Sequence, residues 1–116
     1  MTLLEIVGTN ISMIRGDSES ITIFLKDSFG NSLPFEDGDT LFFTVKDNIN
    51  TDKITLQKII TTFQDDTAVI GINPEDTKGL RFKEYVYDIQ LNRADGYVKT
   101  IIPPSKFTIK GEVTYD

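Results

Sequence analysis

The chain has 116 residues, 39% of them hydrophobic and 26% charged, and 18 acidic against 12 basic side chains leave a net charge of −6. That is the size of one domain with one real core, and the acidic balance offers neither nucleic acid nor an anionic membrane an electrostatic footprint. With no cysteine and no histidine, disulfides, thiolate chemistry, histidine-assisted triads and the commonest zinc ligand are all excluded.

The N-terminal stretch "MTLLEIVGTN" lacks a basic n-region and a long apolar core, so no signal peptide is expected. No run of about 18 apolar residues occurs, so no membrane-spanning helix is expected either. "TLLEIV" reads as an edge strand. "NISMI" and "SITIFLKD" then flank "RGDS", a string of the kind that adhesion receptors capture through Arg15, Gly16 and Asp17. Local chemistry offers a plainer reading. Gly16 makes the bend between two strands, Asp17 accepts backbone hydrogen bonds from the turn, and Arg15 pairs with an acidic neighbour.

From there the apolar residues alternate with period two, the mark of half-buried strands. The inward sets are Ile21, Ile23 and Leu25; Leu41, Phe43 and Val45; Ala68, Ile70 and Ile72; Tyr85, Tyr87, Ile89 and Leu91; and finally Phe107, Ile109 and Val113. Turn signals separate them: "DSFGN", "FEDGD", "QDD" and "RADGY", the last a tight hairpin because Asp-Gly tolerates positive φ. One segment departs from this rhythm. In "INPEDTKGL", Asn73 can cap, Pro74 suits a first helical position, Glu75 and Asp76 favour the positive end of the dipole, and Gly79 suits the stop. This predicts one short helical turn within Asn73 to Leu80.

About eight short strands with turns between them predict an all-β fold, a two-sheet antiparallel sandwich with one short helical turn, forming a single domain over residues 1–116. The candidate site residues follow from the same parity. Asp88 lies mid-strand on the non-core face between Val86 and Gln90, although aspartate is depleted in strands. Phe42 and Val86 also point away from the core. An outward Phe beside an outward Val, with polar edges, marks a binding face, and Asp88 would meet a Lys or Arg of a partner there. A loop or the N-terminal strand folding over these residues is the competing expectation.

Other clusters read as turn chemistry. Asp65, Asp66, Glu75 and Asp76 match no calcium-loop spacing, and Glu36, Asp37 and Asp39 surround Gly38 in a turn. Paired carboxylates are unavoidable among 18 acidic residues, and a domain this small lacks room for a deep cleft, so no catalytic residues, metal, cofactor or enzymatic activity are expected. Tyr85 and Tyr87 could stack on a sugar, but they share a face with Ile89 and Leu91 and read as core. One of them could be a corner tyrosine bonded to nearby backbone.

"PEDT" followed by "YVYDI" resembles the immunoglobulin E–F corner, with six residues more than usual between Thr77 and Tyr85 and without that motif's cysteine. It supports an immunoglobulin-like topology. The order "IRGDS", "KDSFGNSLPFEDGDTLFFTVKD", "INPEDTKGL", "YVYDIQL", "DGYVKTIIPPSKFTI" and "EVT" covers nearly the whole chain and resembles the immunoglobulin-like N-terminal domain of baseplate upper proteins, found in tailed phages and prophages of Gram-positive hosts. That resemblance implies a virion structural module, assembled in the bacterial cytoplasm. It implies no catalytic residues, and its partners would be other tail or baseplate proteins or further copies of itself in a homo-oligomer. The coiled coil and receptor-binding head of the longer baseplate proteins do not follow Asp116 here, so the chain reads as a free-standing small protein or a fragment. The alternative function is a carbohydrate- or host-surface-binding sandwich. Exposed stacked aromatics would favour it, whereas an apolar outer sheet face would favour assembly.

Overall fold

The computed structural model describes residues 9–64 and 66–113. Its elements in chain order are β1 (Ile11–Ile14), β2 (Glu19–Lys26), β3 (Ser32–Leu33), β4 (Thr40–Lys46), β5 (Leu56–Ile60), β6 (Thr67–Ile72), α1 (Pro74–Lys78), β7 (Lys83–Asn92) and β8 (Val98–Lys110). They form a five-stranded sheet, β1-β8-β7-β4-β5, and a three-stranded sheet, β3-β2-β6. The centre of one sheet pairs β4 with β7 and the other pairs β2 with β6, so the chain crosses between the two layers of a β-sandwich. One pairing departs from the antiparallel expectation: β1 runs parallel to β8, with Ile11 beside Phe107 and Met13 beside Ile109.

The period-two reading of the core holds. In β4 burial alternates at every residue, and Leu41, Phe43 and Val45 are wholly buried. The inward residues of β2, β6, β7 and β8 join them in one cluster that spans both sheets. At its centre Phe43, Tyr87 and Phe107 meet with ring centroids 5.3, 5.9 and 6.2 Å apart, in tilted and edge-on arrangements that suit the ring quadrupoles. Both inward tyrosines find acceptors for their hydroxyls. Tyr87 donates to the Thr9 carbonyl at 2.6 Å, and burial pushes its phenol up to about 12. Tyr85 donates to the Arg81 carbonyl at 3.0 Å, four residues upstream, and is the corner tyrosine.

The inward series of β8 stops early. Val113 was expected beside Phe107 and Ile109, but β8 ends at Lys110 and Val113 is fully exposed. The edge strand expected over "TLLEIV" lies outside the described residues.

Helix α1 starts where expected. Pro74 occupies the first turn, and the Asp76 carboxylate accepts the Asn73 N–H at 2.7 Å while pairing with Lys58 Nζ at 2.8 Å. Gly79 follows the last helical residue with φ −86°, so it ends the helix without a left-handed turn. The buried Thr77 hydroxyl accepts the Gly16 N–H at 2.8 Å, which ties the helix to the β1–β2 turn.

That turn contains the Arg-Gly-Asp string. Gly16 has φ +85°, the positive value its bend requires. The turn is closed by the Asp17 N–H donating to the Ile14 carbonyl at 3.2 Å, rather than by the Asp17 side chain. The Arg15 guanidinium donates to both carboxylate oxygens of Glu112, at 3.3 and 2.8 Å, and to the Leu80 carbonyl at 3.3 Å. It also lies 4.2 Å from the centroid of the Phe82 ring. An adhesion ligand must offer its guanidinium outward; this one is part-buried and engaged by Glu112 and Leu80 of the same chain.

Candidate functional site

Parity that buries one face of the five-stranded sheet builds the site on the other. On β4, Phe42 lies opposite Gln90 of β7 and Ile59 of β5, Thr44 lies opposite Asp88 and Gln57, and Lys46 lies opposite Val86. Apart from Ile59, these residues floor a groove of about 440 Å³. Phe42, Val86 and Asp88, the three residues expected at a partner face, all line it and are each half-buried. The reason for that partial burial is the β4–β5 connection, which brings Ile49 and Ile54 to the same groove. The expectation of a covering loop is thus met in part, since the loop walls the face and leaves a cleft.

Asp88 occupies a break in the sheet. Between β7 and β8 the register passes from Tyr87–Ser105 to Ile89–Ile102, so Asp88 faces Pro103 and Pro104 without a registered partner. Proline has no N–H to donate to a ladder, and the extra residue makes a β-bulge of the type that re-aims side chains beside functional sites. Pro104 lines the groove next to Asp88. A second irregularity between Ile89 and Gln90 inserts Ile101, so that Ile101 and Ile102 are both buried in succession.

The Asp88 carboxylate makes no hydrogen bond or ion pair with any described residue. Burial pushes its pKa above the usual carboxylate range, and the charge of Lys46 offsets this only in part. Gln90 and Asn92, the next outward residues of β7, also line the groove without using their side-chain amides on described residues. The Asn92 Oδ1 atom is itself buried without a donor. Gln57, by contrast, is spent on Thr44, its Nε2 donating to Oγ1 at 3.0 Å.

The aromatic content of the groove is low. Phe42 is the outward-facing ring among its described lining residues, because Tyr87 borders it by its strand while its ring packs against Phe43 and Phe107. The rim is aliphatic, with Ile49 67% and Ile54 46% exposed. Sequence parity located Phe42, Val86 and Asp88. It missed Ile49, Ile54 and Pro104, because loop and bulge residues carry no period. It did not single out Lys46, Gln90 or Asn92.

The acidic clusters are engaged otherwise. Asp76 caps α1 and pairs with Lys58, and Asp39 is buried, accepting the Glu36 N–H at 2.8 Å. Among the described residues no three carboxylates gather as a metal site would require, and Asp65 lies outside them. No known family model matches the chain, and no curated protein matches it.

Proposed function

We propose that this chain is a structural module of a virion tail or baseplate that acts by binding through the outer face of its five-stranded sheet and catalyses nothing. The observation that carries the reading is the groove. Phe42, Val86 and the aliphatic rim of Ile49 and Ile54 give it an apolar lining, and Asp88, Gln90 and Asn92 give it hydrogen-bonding groups that described residues leave unused. Interfaces combine these features, with an apolar centre and polar groups that find partners on association. The resemblance to baseplate upper proteins supplies the setting, in which repeated copies assemble with closed symmetry. The partner is then another tail protein or a second copy of this chain.

A sugar-binding role is supported less well. Sugars are gripped by exposed flat rings, and the groove offers Phe42 with isoleucines around it.

Sedimentation of the wild type and of Phe42→Glu, with co-purification against the products of the genes on either side, tests the proposal. The wild type should self-associate or capture a tail protein, and Phe42→Glu should fold yet do neither. An unfolded Phe42→Glu would assign Phe42 to the core, and unchanged association would move the interface elsewhere.

A further inference from the structure

The charged group inside the groove specifies what should enter it. We propose that Asp88 anchors a lysine or arginine side chain that a partner protein presents on an extended segment laid along β7. The inference rests on the binding role of the outer sheet face and adds the chemistry of the occupant.

Three observations converge on it. The first is charge. A half-buried carboxylate without a hydrogen bond or ion pair to any described residue is a desolvation cost that Lys46 offsets only in part and a partner cation would offset further. Lys46 is near enough to be felt by Asp88 but forms no ion pair with it. The second is shape. The aliphatic rim of Ile49 and Ile54 suits the methylene stem of a long basic side chain, whose charged end would then reach the floor. The third is spacing. Val86, Asp88 and Gln90 stand two residues apart on one strand, roughly 6.6–6.8 Å between successive positions. A second extended chain repeats its same-face side chains at that distance. A basic residue seated over Asp88 therefore sets its neighbours two positions away over Val86 and Gln90. One neighbour meets an apolar side chain and the other an amide. A glycan repeat has no reason to match this period.

The test uses the intact chain, isotopically labelled, and follows the side-chain amides of Gln90 and Asn92 by NMR. The probes are a nine-residue peptide of alternating Thr and Val with one central Lys, the same peptide with norleucine in its place, and a tri-N-acetylglucosamine. The lysine peptide should shift both amides saturably and bind at least tenfold more tightly than the norleucine peptide. Asp88→Asn should erase that difference while the protein stays folded. Equal binding of the two peptides, an unchanged preference in Asp88→Asn, or no response to either peptide overturns the proposal. A response to the trisaccharide in place of the lysine peptide overturns it in favour of a glycan. Loss of association in Phe42→Glu with full retention in Asp88→Asn would reject the cation anchor while leaving the binding face in place.

Discussion

Strand β7 puts two kinds of side chain on opposite faces of one backbone. Tyr85, Tyr87, Ile89 and Leu91 are buried, and Ile89 and Leu91 have no exposed surface at all. Val86, Asp88, Gln90 and Asn92, interleaved with them, are half-buried. The inward series even continues past the end of the strand: Arg93 is buried, its guanidinium 2.6 Å from Glu36 and 3.9 Å from Asp39. Each face therefore carries a charge, and the two charges are treated differently. Arg93 stands against two carboxylates from the turn before β4, although its buried guanidinium nitrogens make no well-formed hydrogen bond among the described residues. Among the described residues Asp88 has no ion-pair partner, beyond the field of Lys46. A charge matched within the chain contributes to the fold, and one left unmatched at a groove is available to something else.

This contrast can be broken most forcefully on the inner face. Tyr87→Ala should cost about 3–5 kcal/mol in urea melts, because a large ring leaves a cavity among Phe43 and Phe107. Tyr87→Phe keeps the ring and loses the hydrogen bond to the Thr9 carbonyl, about 0.5–1.5 kcal/mol. A loss for Tyr87→Phe as large as for Tyr87→Ala would mean that the hydroxyl, not the packing, holds the strand.

The matched charge comes next. Asp39→Ala removes an acceptor from the Glu36 N–H and a carboxylate from the neighbourhood of Arg93. The expected cost is about 1–3 kcal/mol, that of leaving buried polar groups unsatisfied. On the solvent side the effects should collapse. Gln90→Ala should stay within about 0.5 kcal/mol, the usual range for a surface change without structural partners. Asp17→Ala should behave the same way, since the turn is closed by its backbone N–H. If Gln90→Ala costs as much as Asp39→Ala, the outer face is part of the core.

Much of this contrast is legible in the sequence. Alternation placed every inward residue of β2, β4, β6 and β7, because a strand's side-chain period is fixed by its backbone. The same rule failed where the backbone departs from regularity. At Pro103 and Pro104 the bulge shifts the register, and Ile101 and Ile102 face the core in succession. Val113 was misjudged because the alternation was carried beyond the end of β8. The Arg15–Glu112 pair joins residues 97 apart in sequence. The sequence could ask for an acidic partner for Arg15, but only the fold selects which one.

The last test separates the two charges by pH. Asp88 has its native pKa raised by burial, against an ordinary unfolded value of about 3.9. The native state therefore holds this proton to higher pH than the unfolded chain does. By linkage its contribution to stability falls as pH rises from the unfolded value through the raised native one, and stays low above it. Asp88→Asn removes that penalty. The variant should match or slightly exceed the wild type in stability at pH 7, and its advantage should shrink toward zero as the pH is lowered through 4 to 3. Asp76 runs the opposite way: burial raises its pKa, but Lys58 and the Asn73 N–H outweigh it and hold the carboxyl below its usual range. Acid therefore weakens the whole protein, yet that loss is common to the two proteins and cancels in their difference at each pH. Urea melts of both across this range measure the gap. If Asp88→Asn is less stable than the wild type at pH 7 and the deficit closes in acid, the carboxylate is already matched within the chain, with Lys46 outweighing burial. Asp88 would then belong with Arg93 among the charges that hold the fold.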